Sequence, residues 1–302
     1  MKKVGIIVLN FNNPQDTIAC LESIVKINYD NFVIVLIDNA STDQSSIILT
    51  NYISNIHDRK IVFIRSDVNK GYAGGNNIGL KYALEYEKVE YFWILNNDTL
   101  VTESSLRYLV EKMMSDKSIG VCGSKLLYEW DRNKLQGYGG EYNKWLGTNS
   151  TCLRSDEINK IDYVIGASTM ISKDFLVDIG YLNEEYFLYY EELDWAERAK
   201  GKYRLDCAID SIVYHKEGAT SGGNYKLDTI SELSDYFLIR NRIRFTFNYH
   251  KTCIPSVYLG LVYAMFNRLV RHQYTRIFMI FKLMFGIGTE KYEKMLNFLH
   301  NK

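Results

Sequence analysis

Short apolar segments alternate with amphipathic ones over the first 125 residues of the chain. Four short runs are rich in Val, Ile and aromatic residues, as buried parallel strands are: Val4–Leu9, Phe32–Ile37, Ile61–Ile64 and Tyr91–Leu95. Three segments between them repeat apolar residues at helical spacing: Thr17–Ile27, Ser45–Ile56 and Asn76–Tyr86. This alternation predicts an α/β fold with a mostly parallel sheet that helices cover on both faces.

The second part of the chain is less regular. Gly137–Gly147 is rich in glycine and is predicted to be a mobile loop that carries aromatic residues. A helix is expected to begin within Tyr186–Trp195 and to end near Gly201, and a strand is expected over Tyr203–Val213. The glycine-rich segment Gly218–Gly223 is predicted to be a flexible loop that closes over a bound ligand.

Polar residues follow each of the four predicted strands. The segments at these positions are Asn10–Asn12, Asp38–Asp43, Asn69–Asn77 and Asn96–Asp98. In open α/β sheets ligands bind beyond the carboxyl ends of the strands, so we expect the functional site there. Asn, Asp, Ser and Gly also populate turns and helix N-caps, which is the alternative for any single segment. Four such segments in succession on one edge favour a binding site.

Composition places the chain of 302 residues among globular proteins, because 47% of the residues are hydrophobic and 24% are charged. A formal net charge of zero excludes a uniformly basic nucleic-acid-binding protein, so no nucleic acid is expected as a partner. Five scattered cysteines without a CxxC pair argue against disulfides and fit a cytoplasmic protein. No stretch reaches the roughly 18 apolar residues of a membrane span, and Val257–Phe266 comes nearest.

Common nucleotide motifs are missing, and this narrows the chemistry. No G-x-G-x-x-G follows the first strand and no G-x-x-x-x-G-K-[ST] occurs, which disfavours dinucleotide oxidoreductases and P-loop NTPases. Asp38 can accept a hydrogen bond from the imide of a pyrimidine base. Asp98 suits a divalent cation that also binds diphosphate oxygens, with helix capping as the alternative, for which Thr102 competes better. His215 is a second candidate ligand, with a packed, hydrogen-bonded histidine as the alternative.

Three carboxylates lie within four residues at the start of the predicted helix: Glu191, Glu192 and Asp194. Like charges and aromatic neighbours raise the pKa of at least one such group. A carboxylate with a raised pKa is suited to act as general base for a sugar hydroxyl. An acidic first helical turn that favours the helix dipole is the alternative, and both roles can hold together.

Seven segments in this order resemble the family 2 glycosyltransferases of the GT-A fold, nearest the bacterial rhamnosyltransferase-like and galactofuranosyltransferase-like branch, over roughly residues 3–245. The segments are VGIIVLNFN (4–12), IDNASTD (37–43), NKGYAGGNN (69–77), ILNNDT (94–99), FLYYEELDWAERAKGKY (187–203), VYHKEGATSG (213–222) and YFLIRNR (236–242).

The resemblance implies inverting transfer of a sugar, namely rhamnose, galactofuranose or a hexose, from a nucleotide-diphosphate donor, with Mg²⁺ or Mn²⁺. A dTDP- or UDP-sugar is the favoured donor, and a hydroxyl of a glycan or lipid-linked saccharide in bacterial surface polysaccharide synthesis is the acceptor. The implied nucleotide-sugar contacts are Asn10, Asp38, Asp43, Asn69, Gly74, Asn76, Asn97 and Asp98. The implied metal ligands are Asp98 and His215.

Two positions depart from the family pattern. Asn96-Asn97-Asp98 occupies the place of the D-x-D motif, with Asp98 as the carboxylate that remains. Glu192 stands where the family has the catalytic Asp of an acidic pair. The order of candidates for the base is therefore Glu192, then Glu191, then Asp194.

The neutral net charge conceals a split along the chain. Residues 237–302 carry eleven basic and two acidic residues, net +9, whereas residues 1–236 carry 25 basic and 34 acidic residues, net −9. We expect a catalytic domain over 1–236, divided into a nucleotide-sugar half (1–125) and an acceptor half (126–236), and a basic helical region over 237–302. The tail fits either a helix on the anionic inner face of the membrane or an ordinary helical cap.

Two further function classes remain open at this point. A catalytically silent carbohydrate-binding or scaffold protein would keep the same fold, but an intact Asp98, acidic cluster and His215 argue against it. A sugar nucleotidyltransferase expects a Gly-rich loop with Arg or Lys after the first strand, and Asn10–Pro14 does not provide one. A homo-oligomer is also left open.

Overall fold

The structure, a computed structural model, describes residues 1–216 and 231–287, so the predicted loop Gly218–Gly223 lies outside the described residues. Its first elements are β1 (Val4–Asn10), α1 (Pro14–Ile24), β2 (Phe32–Asp38), α2 (Ser45–Ile53), β3 (Ile61–Arg65), α3 (Gly71–Tyr82), β4 (Tyr91–Asn96), β5 (Thr99–Val101), α4 (Ser105–Ser115) and β6 (Ile119–Tyr128). The later elements are β7 (Leu135–Gly137), β8 (Gly139–Asn143), β9 (Thr148–Cys152), β10 (Ser168–Ser172), α5 (Lys173–Ile179), α6 (Glu191–Ala199), β11 (Arg204–His215), α7 (Glu232–Tyr249), α8 (Ile254–Val270) and α9 (Tyr274–Met284).

One mixed sheet with the order β3-β2-β1-β4-β10-β6-β11-β5 forms the centre of the fold. β1 to β4 are parallel, β10 runs antiparallel between β4 and β6, and β5 runs antiparallel to β11. β1 and β2 are almost fully buried because apolar clusters cover both faces of the sheet. The predicted α/β class with a mostly parallel sheet is confirmed, and the carboxyl ends of β1, β2 and β4 share one edge.

The glycine-rich segment after β3 is a helix rather than a loop. α3 begins at Gly71, five residues before the predicted start at Asn76. A Cβ at Gly75 would lie 2.5 Å from Leu9 Cδ1, and one at Gly79 would lie 2.5 Å from Ile7 Cγ2. The glycines therefore serve close packing of α3 on the sheet, a requirement that outweighs their low helix propensity.

The predicted mobile loop at Gly137–Gly147 is wrong over Gly137–Asn143, most of which forms strands, whereas 144–147 is the turn between β8 and β9. β7 pairs with β6, and β8 pairs with β9 in a separate two-stranded sheet. A Cβ at Gly139 would lie 2.8 Å from Ile161 Cγ2, so glycine is again used for close packing. The helix expected near Tyr186–Gly201 and the strand after it are present as α6 and β11.

Three C-terminal helices pack on one another around Phe237, Leu261 and Ile280. The expectation that no stretch is long enough to span a membrane is wrong. The continuous helical stretch Lys251–Val270 has 20 residues and an apolar composition that would permit a span, and it is largely exposed. Counting uninterrupted apolar residues missed it because scattered Ser, Gly and Asn break the run without making the helix polar. Length and composition alone are weak grounds for a span.

A turn in an unusual conformation precedes α6. Phe187, Tyr189 and Tyr190 all have left-handed backbone angles, with φ of 66°, 68° and 76°, a conformation that costs of order 1–3 kcal/mol per non-glycine residue. The backbone N–H of Tyr72 donates to Phe187 O at 2.7 Å. A Cβ at Gly71 would lie 2.2 Å from the same oxygen, so only glycine lets α3 approach this turn.

Asn241 of α7 holds the turn from the other side. Its Nδ2 donates to the carbonyls of Tyr186, Leu188 and Tyr189 at 2.9, 2.8 and 3.0 Å, and the side chain is fully buried. Because the turn leads directly into α6, this contact sets where the acidic start of that helix lies. The C-terminal helices therefore position residues of the sheet domain.

Replacing Asn241 tests this role. We expect Asn241→Ala to lower the free energy of unfolding by about 1–3 kcal/mol, because one buried and two partly buried hydrogen bonds lose their shared donor. The measurement is urea denaturation followed by circular dichroism. Asn51→Ala on the exposed face of α2 is the matched control and should change stability by no more than about 0.5 kcal/mol. Equal effects of the two substitutions would contradict the role of Asn241.

Candidate active site

A hydrogen-bonded network joins the ends of three neighbouring strands. Asn10 lies opposite Asp38 in the pairing of β1 with β2, and its Nδ2 donates to Asp38 Oδ1 at 3.0 Å. Thr17 Oγ1 donates to Asn10 Oδ1 at 2.8 Å and accepts from Asn97 Nδ2 at 2.9 Å. Ser41 Oγ donates to Asp38 Oδ1. The structure thus brings together Asn10, Asp38 and Asn97, which the sequence placed at strand ends.

Asp38 keeps one oxygen without a hydrogen-bond partner. Its Oδ2 is buried, and the nearest cationic atom is Arg65 Nε at 3.8 Å. A buried acceptor without a donor costs free energy unless a ligand or water supplies one. The N–H of a bound base is one donor that would satisfy this oxygen.

The other predicted donor-site residues differ in what they contact. Asn69 Oδ1 accepts from Asn39 Nδ2 and from a backbone N–H of α3, both at 2.9 Å, so it ties the end of β2 to α3. Asn76 donates to a carbonyl of its own helix and leaves Oδ1 unpartnered. Asp43 is exposed and caps α2 through the backbone N–H of Ser45.

Gly74 is a further residue implied as a donor contact. A Cβ there would lie 2.6 Å from Lys70 Cβ and 3.3 Å from Glu184 Oε2, so the residue faces side chains of its own neighbourhood. Close packing accounts for this glycine.

Asp98 and His215 meet at the opposite end of the same edge. The antiparallel pairing of β5 with β11 sets Thr99 opposite His215, which brings His215 Nε2 to 3.3 Å from Asp98 Oδ1. The other ring nitrogen, Nδ1, lies 3.1 Å from Gln136 Oε1. Because that amide oxygen can only accept, Nδ1 carries a proton, and in the neutral imidazole Nε2 then presents a lone pair to Asp98.

In that tautomer two acceptor atoms face each other, and Asp98 Oδ1 has no hydrogen-bond partner despite its ion-pair distance from His215. Asp98 and His215 are both buried. A divalent cation between them would satisfy both atoms, and Gln136 would act as the outer partner that fixes the ring. Over residues 1–216 and 231–287 no group of three or more His, Cys, Asp and Glu is arranged for a metal. The remaining ligands would therefore come from diphosphate oxygens and water.

Glu191 and Glu192 begin α6, where the first backbone N–H groups of the helix have no partner within the helix. Glu191 is fully buried and its Oε2 has no hydrogen-bond partner. Glu192 is partly exposed, and the backbone N–H of Gly166 lies close enough to its carboxylate to lower the pKa of that group. A Cβ at Gly166 would lie 1.9 Å from Glu192 Oε1, so only glycine admits the carboxylate at this position. The residue after Gly166, Ala167, accepts a hydrogen bond through its carbonyl from the backbone N–H of Asn96. The glutamates and the Asp98–His215 pair therefore lie along the same edge of the sheet.

Burial sets the acidity of this pair. Burial raises the pKa of Glu192 to about 7, against which hydrogen bonds from backbone N–H groups act. Burial, and then the neighbouring charge of Glu192, raises the pKa of Glu191 well above its usual range. At neutral pH the pair therefore holds a proton that a small change in surroundings can move.

Asp194 has a different environment from the two glutamates. Its Oδ2 accepts from Arg198 Nε at 2.8 Å, and its Oδ1 accepts from Tyr249 Oη at 2.7 Å. Both oxygens of this buried carboxylate are occupied by partners from the protein. The structure therefore gives Asp194 contacts that stabilise α6 against α7, which favours the glutamates for chemistry.

Several contributing residues were missed by sequence reasoning. Asn39 and Ser41 lie inside a segment that was singled out, but only the structure shows which atoms they contact. Gly71 and Asn241 lie within recognised segments, and their left-handed turn carries no sequence signal at Phe187 or Tyr190. Gln136 had no signal at all, because its partner His215 is 79 positions away.

Comparison with known proteins agrees with this geometry. The model of the family Glycosyl transferase family 2 matches residues 5–180, which is more than half of the chain. A low-salt glycan biosynthesis hexosyltransferase from Haloferax volcanii is 29% identical over 208 residues, covering 65% of this chain and 61% of that protein. A poly-beta-1,6-N-acetyl-D-glucosamine synthase from Staphylococcus epidermidis is 26% identical over 185 residues, covering 59% of this chain and 41% of the synthase. The chain thus matches less than two thirds of the length of either relative.

Solved structures show the same fold at low identity. A mannosyltransferase from Pyrobaculum calidifontis in complex with GDP-Man and Mn²⁺ superposes with a TM-score of 0.59 and 13% identity, over 99% of this chain and 84% of that one. Staphylococcus aureus TarS in complex with UDP gives a TM-score of 0.55 and 18% identity, over 86% and 70%. The expected GT-A type of fold, with its curled sheet and C-terminal helical region, is confirmed. On its sequence match and its fold, the chain belongs to glycosyl transferase family 2.

Proposed function

We propose that this protein is a metal-dependent, inverting glycosyltransferase that moves a sugar from a nucleotide-diphosphate donor to a hydroxyl group. The observation that carries the proposal is the approach of two buried residues, with Asp98 Oδ1 unpartnered and 3.3 Å from His215 Nε2. They share an edge of the sheet with a carboxylate whose pKa is raised to about 7. A metal-diphosphate site beside a general base is the arrangement that sugar transfer to a hydroxyl requires.

The donor would lie across the ends of β1, β2 and β4. Asp38 Oδ2, buried and unpartnered, would accept the imide N–H of a uracil or thymine, which favours a UDP- or dTDP-sugar. Asn10, Asn69 and Asn97 hold this edge in shape through the hydrogen bonds of their side chains. The solved structures with UDP and with GDP-Man and Mn²⁺ support a nucleotide sugar as the ligand class.

Asp98 and His215 would hold the Mg²⁺ or Mn²⁺ ion. Bound there, the ion supplies charge neutralisation for the diphosphate that leaves. Asn96 and Asn97 replace acidic residues nearby, so Asp98 is the carboxylate in this segment that binds the cation. Gln136 keeps the imidazole of His215 in the tautomer that can coordinate.

Glu192 would act as the general base. Its carboxylate takes the proton of the acceptor hydroxyl while that oxygen attacks the anomeric carbon from the face opposite the diphosphate, so the configuration inverts. The carboxylate lies against Gly166, whose missing side chain leaves room for it. Glu191 and Asp194 remain the second and third candidates, and the occupied oxygens of Asp194 support that order.

The biological setting that we propose is synthesis of a bacterial or archaeal surface glycan. The relatives act in low-salt glycan biosynthesis and in poly-N-acetylglucosamine synthesis, which supports a hexose as readily as rhamnose or galactofuranose. The acceptor would be a glycan or lipid-linked saccharide, handled by a catalytic unit over residues 1–236 with the basic tail 237–302 at the inner face of the membrane. The N-terminal half (1–125) would bind the donor and the following half (126–236) the acceptor.

Glu192→Gln tests the base. We expect turnover to fall about 10²–10⁴-fold, because the amide cannot accept the proton, measured as release of the nucleoside diphosphate. The variant should also be more stable than wild type at pH 8. In wild type the pKa of Glu192 rises from the ordinary 4.5 to about 7 on folding, so its ionisation destabilises the fold above pH 4.5 and reaches its full effect above about pH 7. Glutamine does not ionise and removes this cost. Glu197→Gln on the same helix is the matched control and should keep its activity. Unchanged turnover in Glu192→Gln, with loss in Glu191→Gln, would transfer the role to Glu191.

The pH profile provides a separate test. Below its pKa the Glu192 carboxyl is protonated and cannot act as base, so kcat/KM should fall about tenfold per pH unit below about pH 7. Steady-state kinetics from pH 5 to 9, with the metal held at saturation, gives the profile. A midpoint near the ordinary glutamate value would show that burial does not control the catalytic group.

Metal dependence of nucleotide binding tests Asp98 and His215. UDP or dTDP with Mn²⁺ should raise the melting temperature. At a hundredfold excess of ligand over Kd, the free energy of unfolding should rise by about 2.7 kcal/mol. Chelation with EDTA should remove most of the shift in melting temperature. Asp98→Asn should remove the Mn²⁺-dependent part, whereas Asp58→Asn on the exposed surface should retain it. A full Mn²⁺-dependent shift in Asp98→Asn would contradict the assigned ligand set.

A further inference from the structure

The C-terminal helices expose an apolar face. α8 and α9 bury Leu261 and Ile280 against α7 and turn large side chains outward. The exposed residues that define this apolar face are Leu259, Val262, Phe266, Phe278, Phe281 and Phe285. Lone exposed apolar residues are ordinary, but a set on two adjacent helices marks an interaction surface.

A cavity of about 360 Å³ lies between α7, α8, α9 and the turn that joins β8 to β9. We name it the arginine cavity, because its charged lining residues are Arg242, Arg268, Arg271, Arg276 and Asp235. Arg268 Nη2 donates to Asp235 Oδ1 at 2.6 Å, and Arg276 Nη1 lies 3.3 Å from Asp235 Oδ2. The cavity is thus lined by guanidinium groups, and Asp235 pairs with Arg268 and Arg276.

Arg242 is built into this cavity rather than lying on its surface. The residue is only 9% exposed, its Nη2 donates to Leu146 O, and its Nε has no hydrogen-bond partner. A Cβ at Gly147 would lie 3.0 Å from Nε, and one at Gly260 would lie 2.7 Å from Nη2. Two glycines therefore leave the space in which the guanidinium lies.

The unpartnered Nε is costly where it stands. Burial lowers the pKa of Arg242, and the charge of Arg268 adds to this. A guanidinium at this depth stays charged, so an anion is the partner that would offset both effects. Guanidinium groups bind phosphate oxygens in a two-pronged geometry, and a cavity of this volume admits a phosphate group.

We propose that the arginine cavity binds the phosphate group of a membrane lipid. Tyr263 and Leu146 line the cavity and are also exposed beside the apolar face, so the charged cavity and the apolar surface are continuous. An amphipathic helix that lies in the interfacial plane buries its apolar side among acyl chains while its basic residues reach the phosphates. α8 and α9 combine these two features around one cavity. The inference concerns lipid binding and does not depend on the proposed transferase activity.

Flotation with vesicles tests the proposal. Wild-type protein should float at low salt with vesicles of equimolar phosphatidylglycerol and phosphatidylcholine, and Arg242→Gln should weaken vesicle affinity at least about tenfold, as loss of a charged hydrogen bond does. Lys282→Gln, an exposed charge on α9 outside the cavity, is the matched control and should cost no more than about fivefold. General attraction of charge to the membrane would reverse this order, because Lys282 is exposed and Arg242 is buried, and that result would overturn the proposal.

Folding and ligand source are controlled separately. Arg271→Gln, at the exposed end of the cavity, should weaken flotation more than Lys282→Gln and replaces Arg242→Gln if that variant does not fold. Inorganic phosphate, titrated in EDTA without vesicles, should raise the melting temperature of wild type more than that of the cavity variants. Phosphate stabilisation without flotation would assign the cavity to a soluble anion. If neither stabilisation nor flotation is observed, the cavity binds no phosphate. Either outcome, or a change in oligomeric state alone, overturns the lipid assignment.

Discussion

Two adjacent carboxylates at the start of α6, Glu191 fully buried and Glu192 partly exposed, are the constraint on which the site depends. Removing Glu191 and Glu192 from water opposes their ionisation, and the charge of Glu192 further raises the pKa of Glu191. Backbone N–H groups at the helix start and at Gly166 supply the compensation that the surroundings offer. These donors face the carboxylates only if the chain enters the helix at one particular angle.

That entry angle explains features that otherwise look unrelated. The left-handed turn before α6 is strained, and it persists because α3 and α7 hold it from two sides. Gly71 permits contact with the carbonyl of Phe187, and Asn241 binds the next carbonyls along the turn. The contacts of α3 and α7 offset the conformational energy of the turn and so maintain the position of the acidic pair. The positions of Asp98 and His215 are set separately, by the pairing of β5 with β11.

The sequence predicted those parts that depend on periodicity and on strand ends. Four parallel strands, the polar edge and the acidic start of α6 follow from patterns within a few residues of each other. The errors arise where a distant contact overrides local preference: Gly71–Gly75 is helical because α3 packs closely on β1 and β2, and most of Gly137–Asn143 forms strands because it pairs with β6 and β9. The partners of His215 and of the strained turn, Gln136 and Asn241, lie too far along the chain for any local pattern to identify.

Helix α7 contacts both the turn before α6 and the arginine cavity, and it does so through consecutive residues. Asn241 faces the strained turn before the acidic pair, and Arg242 faces the arginine cavity beneath the apolar surface. Tyr190, the last residue of that turn, also donates through its hydroxyl to Gly147 O at 2.8 Å, and Gly147 packs on the side chain of Arg242. Arg242 and the turn are therefore joined both by the backbone of α7 and by this hydrogen bond. The acidic pair and the arginine cavity thus depend for their positions on the same two elements, α7 and the turn before α6.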